Sequence, residues 1–225
     1  MARKLFLLCG GVSSILYLAA IDVFAPLLHP DYHDYTSQMV SELMAVGAPT
    51  RDLLVQLFIP YNLLLFAFAI GVRASAGNRR AGRLTAAALF GYAVFSSAGL
   101  VFAPMDVRGT VGSQRDALHI AVTIVMSFFI VAAIASGAFL QGKLFRRYSA
   151  ATVATVVVFG ALAGFLARPL SERQPTPWLG LAERVNIYAT MLWIAVLAAS
   201  LWRAPRNPGA LPGDIPRLQA GVSGR

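Results

Sequence analysis

The stretch LHIAVTIVMSFFIVAAIASGAFL, from Leu118 to Leu140, contains one ionisable side chain, His119, among 23 residues. An α-helix of about 20 mostly apolar residues can cross the roughly 30 Å hydrocarbon core of a bilayer. Five other stretches have the same character, and the six together are Leu5–Leu28, Leu53–Arg73, Leu84–Met105, Leu118–Leu140, Ser149–Ala167 and Glu183–Trp202. The sequence therefore predicts an all-α, polytopic membrane protein with six transmembrane helices in a bundle.

The basic residues are divided unequally between the two sets of connections. Of the 19 Lys and Arg, 13 lie at the N-terminus, around the second and fourth connections, and in the tail. Because basic residues are enriched in cytoplasmic loops, we predict that both termini are cytoplasmic and that the protein is multi-pass in the inner or plasma membrane. The net charge of +9 then reflects topology, so it does not indicate a nucleic-acid partner. The basic residues near the membrane surface could contact anionic lipid head groups.

The connections are too short to bury hydrophobic cores of their own. We expect one transmembrane domain over residues 1–203 and a disordered cytoplasmic tail over residues 204–225, where proline recurs among glycine and alanine. The first apolar run is about 24 residues long, which favours an uncleaved helix over a signal peptide. The single cysteine, Cys9, excludes an internal disulfide and a cysteine-based zinc cage.

The connection between the first two runs has a helical pattern of its own. Met39, Val40, Leu43 and Met44 are spaced as on one face of a helix, with polar residues between them. We predict a short amphipathic helix over Thr36–Val46, lying on the membrane surface or folded over the bundle. Asp34 or Thr36 could cap its start, Gly47 its end, and Pro49 would prevent its continuation.

Polar side chains are concentrated in the extracytoplasmic half of the predicted bundle. Asp22 is about six residues, or roughly 9 Å, below the outer end of its helix, where a carboxylate is expected to turn away from lipid. The candidate pocket residues are Asp22, Ser41, Glu42, Arg51, Gln56, Asn62, Asp106, His119, Glu183 and Arg184. We therefore expect an extracytoplasmic-facing polar pocket covered by the first loop.

Asp106, His119 and Glu183 could together hold a metal ion. Mixed histidine and carboxylate ligands suit zinc, and a zinc-bound water is a nucleophile at neutral pH. The sequence has no HExxH motif and no paired cysteines, so composition alone supports this zinc hypothesis. Each residue also has a structural interpretation. Asp106 could end a helix, His119 could bond to Asp116 in the first turn of the next helix, and Glu183 could be a carboxylate at the N-terminus of the last helix.

Three elements of the sequence resemble one family. They are YTSQMVSELMAVGAPTRD (Tyr35–Asp52), FAPMD (Phe102–Asp106) followed by His119, and ERVNIYATMLW (Glu183–Trp193). The chain resembles, from about Leu5 to Trp202, the bacterial and archaeal membrane family catalogued as domain of unknown function 998. The resemblance implies a six-helix membrane architecture and no settled activity.

A second resemblance is to the eukaryotic membrane family that includes GPI-anchor remodelling factors and autophagy modulators. The matching positions are Ser41, Glu42, His119 and Glu183. This sequence has Glu42 where that family tends to carry Asp, and its Gly–Pro spacing differs. The resemblance would imply lipid chemistry at the extracytoplasmic face.

Three functions remain open from the sequence, and whether the protein is an enzyme is undecided. The first is recognition of a lipid or another amphiphile in the polar pocket. The second is a metal-assisted membrane lipid hydrolase or transferase. The third is a non-catalytic accessory subunit of a larger membrane complex. Membrane lipids are the expected partners, and a membrane-protein partner or a homo-oligomer is compatible with the same pattern.

Overall fold

The computed structural model describes residues 1–109, 113–172 and 174–204. Nearly all of the predicted disordered tail, residues 205–225, therefore lies outside the described residues. In the described part, six helices are long and apolar enough to cross a membrane. They are α1 (Ala2–Leu28), α2 (Arg51–Ala76), α3 (Arg80–Phe102), α4 (Gln114–Gly137), α5 (Lys143–Leu166) and α6 (Leu179–Arg203). The prediction of an all-α membrane protein with six such helices is confirmed.

Several helices begin earlier than the apolar runs. The α5 helix starts at Lys143 rather than Ser149, and α6 starts at Leu179 rather than Glu183. Hydropathy detects only the apolar part of a helix, whereas the backbone hydrogen bonds continue through the flanking charged residues. Ser113 fixes the start of α4, because its hydroxyl accepts a hydrogen bond from the backbone N–H of Asp116 at 3.0 Å.

The helices pack mainly against their neighbours in the chain, and α1 also packs against α6. The α1–α2 contact is close, because a Cβ on Gly71 would lie 2.9 Å from the backbone carbon of Phe6. Ser14 connects α1 to α6, since its hydroxyl donates to the carbonyl of Met191 at 2.9 Å. The α4–α5 contact is sparser than the others between consecutive helices.

The connections lie at two ends of the molecule. We call the end with the connections 29–50, 103–113 and 167–178 the loop end, and the end with the chain terminus at Met1 the terminal end. At the terminal end, Arg3 donates to the carbonyl of Ala204 at 3.3 Å, and Arg79 donates to the carbonyl of Leu140 at 3.2 Å. The candidate site residues belong to the loop-end half.

Near its loop end, α1 contains a π-helical turn, Ala20–Phe24. The N–H of Ala25 bonds to the carbonyl of Ala20, five residues back, which leaves the carbonyl of Ile21 without its usual partner. Pro26 has no N–H, so the carbonyl of Asp22 also lacks a helical partner. These two carbonyls are consequently available to side chains from outside the helix.

Candidate functional site

The first loop, residues 29–50, covers the loop end by binding to the two free carbonyls of α1. The hydroxyl of Tyr35 donates to the carbonyl of Asp22 at 2.8 Å, and Nε2 of His33 lies 3.2 Å from the carbonyl of Ile21. Tyr35 thus satisfies the carbonyl of Asp22, and Nε2 of His33 lies between the carbonyl of Ile21 and a terminal nitrogen of Arg184, which is 3.3 Å away. The His33 residue is half-buried against α1.

Arg184, at the start of α6, connects this loop to α1. Its side chain is 1% exposed, and its Nε donates to Oδ1 of Asp22 at 3.1 Å. One terminal nitrogen donates to the backbone carbonyls of Gln38 at 2.9 Å and Tyr35 at 3.2 Å. The guanidinium is therefore neutralised by one carboxylate and hydrogen-bonded by the loop backbone, as a buried cation requires.

Two groups of the first loop have shifted pKa values. Burial, followed by the positive charge of Arg184, lowers the pKa of His33. Hydrogen bonds from the backbone N–H of Ser37 and from Thr36 lower the pKa of Asp34 to about 2. Asp34 caps the turn that begins the loop, since its Oδ1 accepts from the N–H of Thr36 at 2.8 Å.

Glu183 and Ser41 form a second contact between α6 and the first loop. The hydroxyl of Ser41 donates to Oε1 of Glu183 at 2.7 Å, and the backbone N–H of Val40 donates to Oε2. The loop backbone packs closely against α6 at Gly180, because a Cβ at that position would lie 2.3 Å from the carbonyl oxygen of Gln38. Both oxygens of Glu183 thus hold the loop in place.

Glu42 is bound by Arg108, which is not one of the candidate pocket residues. The Glu42 residue is 3% exposed, and its two carboxylate oxygens accept from Nε and a terminal nitrogen of Arg108, both at 2.9 Å. The backbone N–H of Met39 donates to the same carboxylate at 2.9 Å. Arg108 also donates to the hydroxyl of Thr176 at 2.8 Å, so the pair joins three connections.

Asp106 lies in a third network, between α3 and α4. Its Oδ2 accepts from the hydroxyl of Ser113 at 2.6 Å, and its Oδ1 accepts from Arg115. These hydrogen bonds, that of Ser113 first, lower the pKa of Asp106. Its backbone N–H donates to Oδ1 of Asp116 at 2.8 Å. The interpretation that Asp106 ends a helix is wrong, because α3 already ends at Phe102.

His119 bonds to backbone rather than to Asp116. Its Nδ1 lies 2.8 Å from the carbonyl of Ala103, just after the end of α3, so this nitrogen carries the proton and donates. The structural alternative that paired His119 with Asp116 is therefore wrong.

The other three candidates lie apart from these networks. Arg51 donates to the carbonyl of Met44 and thereby fastens the end of the first loop to α2. Gln56 is exposed on α2. Asn62 is buried in α2, where its amide nitrogen donates to the carbonyl of Phe58 at 3.0 Å and its oxygen has no partner among the described residues.

The proposed zinc ligands do not form a metal centre. Among the described residues, no three His, Cys, Asp or Glu side chains are placed to hold an ion together. Asp106 binds Ser113 and Arg115, and His119 and Glu183 bind backbone groups of different segments. The described residues therefore offer no three-ligand site for the zinc hypothesis.

The predicted amphipathic helix over Thr36–Val46 is wrong. The segment contains a short 3₁₀-helix, Ser41–Met44, and the preceding residues form turns. The cause is competition for the backbone: the carbonyl of Thr36 accepts from Leu181, and that of Ser37 accepts from Arg108 and Thr176. These groups are unavailable for helical bonds. Gly47 does end the segment, with φ of +93°.

Three residues that matter at this end were missed: Tyr35, Arg108 and Tyr188. The hydroxyl of Tyr188, on α6, donates to Oδ2 of Asp22 at 2.7 Å. Pro26 was an available signal, because a proline inside an apolar run frees the carbonyl four residues earlier for a donor such as Tyr35. No local pattern indicates that Arg108 pairs with Glu42, 66 residues away.

Asp22 and Tyr188 also line a groove on the membrane-facing surface between α1 and α6. The groove has a volume of about 410 Å³ and is lined by Ile15, Leu18, Ala19, Asp22, Val23 and Tyr188. Asp22 and Tyr188 provide the polar atoms in this otherwise apolar lining. The side chain of Asp22 is 18% exposed, so its carboxylate is reachable although it is already bound to Arg184.

Residues 12–200 match the family described as Protein of unknown function (DUF998). The match spans most of the chain, so the protein belongs to this family, and the resemblance noted from the sequence is confirmed. Neither a curated protein nor a solved structure matches the chain. The family description assigns no activity, and the membrane class rests on the six long apolar helices.

Proposed function

We propose that this protein recognises an amphiphile in the leaflet next to its loop end, by means of the groove between α1 and α6. The distribution of Lys and Arg supports cytoplasmic termini in the cell membrane, which makes the loop end extracytoplasmic. The polar contact of the ligand is then the Asp22–Tyr188 pair rather than a chamber formed by all the predicted pocket residues. The apolar part of the ligand lies along Ile15, Leu18 and Val23.

The observation that carries this proposal is a hydrogen-bonded carboxylate in an apolar, lipid-facing groove. Polar side chains in a membrane are costly and are retained mainly where they serve a partner or a water-filled space. Most of the other predicted pocket residues are occupied with holding the first loop and the neighbouring connections. Asp22 differs, because its carboxylate also reaches the membrane-facing surface.

The chemistry of this pair favours a ligand that donates a hydrogen bond. Tyr188 donates its proton to Asp22, so the phenol oxygen and the carboxylate oxygens remain as acceptors. Arg184 neutralises the carboxylate, so a full positive charge on the ligand is not required. Both conditions are satisfied by a lipid that has one or two acyl chains and a free hydroxyl group near the depth of its ester bonds.

Photoactivatable lipids test the proposal in purified protein reconstituted into nanodiscs. The two probes are a diacylglycerol with a diazirine in one acyl chain and its methyl ether, which lacks the donor hydroxyl. We expect the diacylglycerol to label α1 and α6 peptides more than its ether does, and Tyr188→Phe to reduce this difference. Ala19→Leu, which fills the groove, should remove the labelling.

Gly164→Leu is the matched control, because Gly164 lies on α5 and a Cβ there meets no atom within 4 Å. Unchanged labelling of α1 and α6 in Ala19→Leu would refute the groove as the ligand site. Equal labelling by the two probes would refute recognition of a donor hydroxyl.

A second function, an accessory subunit of a membrane complex, has its own supporting observation. The carboxylates of Glu42, Asp106 and Glu183 are all engaged in internal hydrogen bonds, as expected for a structural rather than a reactive loop end. This function predicts one partner protein at fixed stoichiometry in complexes extracted with a mild detergent. A monodisperse monomer extracted from native membranes would contradict it.

A further inference from the structure

A second groove between α1 and α6 lies at the terminal end. It has a volume of about 210 Å³ and is lined by Leu7, Leu8, Gly11, Ala195, Ala198, Ala199, Trp202 and Arg203. Gly11 leaves this space open, because a Cβ there would meet no atom within 4 Å. The small side chains of α6 that line the opposite wall leave a slot that faces the membrane.

Basic side chains surround the end of this slot. Arg203 lines it, and the ammonium nitrogen of Lys4 lies 4.6 Å from the centre of the Trp202 ring, which also lines it. Arg3, one residue earlier, donates to the carbonyl of Ala204 at 3.3 Å. Three cations from α1 and from the end of α6 thus converge where the groove meets the membrane surface.

These charges are not neutralised by the described part of the protein. The salt bridges found among the described residues pair Arg108, Arg115 and Arg184 with acids, and all three pairs lie in the loop-end half. The carboxylate side chains of residues 1–204 all belong to that same half or to its connections. The terminal end of the α1–α6 contact therefore presents a positive rim above an apolar slot.

We propose that this groove is a binding site for an anionic phospholipid of the leaflet next to the terminal end. The phosphate contacts Lys4 and Arg203, with Arg3 beside them, and one acyl chain lies in the slot past Gly11. Charge complementarity selects this occupant, because basic pockets between transmembrane helices bind anionic head groups. A lysine or arginine can extend along apolar surface and keep its charge at the interface.

Lipid binding to delipidated protein can be measured by native mass spectrometry in a neutral detergent. The probes are phosphatidylglycerol and phosphatidylcholine with identical acyl chains. We expect phosphatidylglycerol to form the more abundant one-to-one adduct. The double variant Lys4→Gln/Arg203→Gln should bind it about 30-fold more weakly, from two lost interfacial charges, while phosphatidylcholine binding stays unchanged.

Gly11→Leu tests the slot separately from the charges. Because there is free space at this position, leucine should leave the helix packing intact and still prevent binding of the acyl chain. Gly164→Leu is the control for an added side chain, and Arg146→Gln/Arg147→Gln is the control for two lost charges at the same end. Thermal unfolding verifies that each variant is folded.

Two results would overturn the proposal. One is phosphatidylglycerol binding in Gly11→Leu or in Lys4→Gln/Arg203→Gln that equals binding in the matched control. The other is a wild-type dimer that Gly11→Leu converts to a monomer, which would show that a second copy of the chain occupies the groove instead of a lipid.

Discussion

At the scale of single residues, three acids of the loop end each bind an arginine. Asp22 pairs with Arg184, Glu42 with Arg108, and Asp106 with Arg115. A buried charge that loses its partner is strongly destabilising, whereas an exposed pair contributes little. The three pairs differ in exposure. Loss of the arginine should therefore destabilise the protein more in a buried pair than in an exposed pair.

The Glu42–Arg108 pair gives the first prediction. Arg108→Gln should lower the free energy of unfolding by about 2–3 kcal/mol, because it leaves a buried carboxylate with too few donors. The double variant Glu42→Gln/Arg108→Gln should lose less than the sum of the two single variants. Unfolding in mixed micelles, followed by tryptophan fluorescence, measures these differences.

Arg115→Gln is the control for this prediction. The Arg115 side chain is 47% exposed, so its loss should cost less than about 1 kcal/mol. An equal cost for Arg108→Gln and Arg115→Gln would contradict the assignment of Arg108 as the partner that stabilises a buried charge.

The second prediction concerns pH and His33. Its folded pKa lies below the unfolded value of about 6.5, so its contribution to stability is complete above that pH and decreases as the pH falls. Around the ring, Arg184 opposes protonation, and Asp22 and Asp34 favour it less strongly. Between about pH 7 and pH 5, the melting temperature should fall in the wild type and fall less in His33→Gln.

His29→Gln is the matched variant, because His29 is in the same loop and makes no side-chain hydrogen bond in the part of the chain that the structure describes. It should retain the wild-type dependence on pH. If His33→Gln also retained that dependence, the titration would belong to another group.

At the scale of elements, the π-turn of α1 and the first loop form one unit. Pro26 removes a backbone donor, and Tyr35 replaces it at the carbonyl of Asp22. A helical irregularity of this kind often marks a functional position, and here it also places Asp22 between Arg184 and the groove.

A double-mutant cycle on this unit is the third prediction. Tyr35→Phe should lower the free energy of unfolding by about 1 kcal/mol, since the carbonyl of Asp22 loses its donor. In a Pro26→Ala background the same change should cost less, because the N–H of the new alanine can bond to that carbonyl. Unfolding of the four proteins in micelles measures the coupling, and additive costs would contradict the proposed replacement.

The helices were predictable from the sequence, whereas the loop end was only partly predictable. Apolar runs such as Leu118–Leu140 identify a membrane helix because length and hydropathy are local properties. The first loop failed as a predicted helix, because its backbone is bound by Arg108, Glu183 and Arg184 from distant segments. Spacing within residues 36–46 contains no information about those partners.

At the scale of the whole molecule, the candidate polar residues lie at one end, as the sequence predicted, but they do not line one shared pocket. Because a carboxylate is costly in hydrocarbon, Asp22 and Glu183 are expected to have hydrogen-bond partners within the protein, and both do. It does not predict which donor each acid meets. The result is several separate networks where a single chamber was expected.

Membrane orientation gives the fourth prediction. In a Cys9→Ala background, a membrane-impermeant maleimide should label Asp31→Cys in intact cells, because we place the loop end outside. Asn78→Cys, an exposed position in the connection between α2 and α3, should react only after permeabilisation. The reverse pattern would place both proposed grooves in the opposite leaflets.

The hydrogen bond between Ser41 and Glu183 spans 142 residues of chain, which has a consequence for biosynthesis. At translation rates of about 5–20 residues per second, the ribosome makes the first loop roughly 7–30 s before its partners on α6. During that interval the loop lacks the contacts from Glu183 and Arg184. Insertion of the last helix is therefore the step that completes the hydrogen bonds holding the first loop.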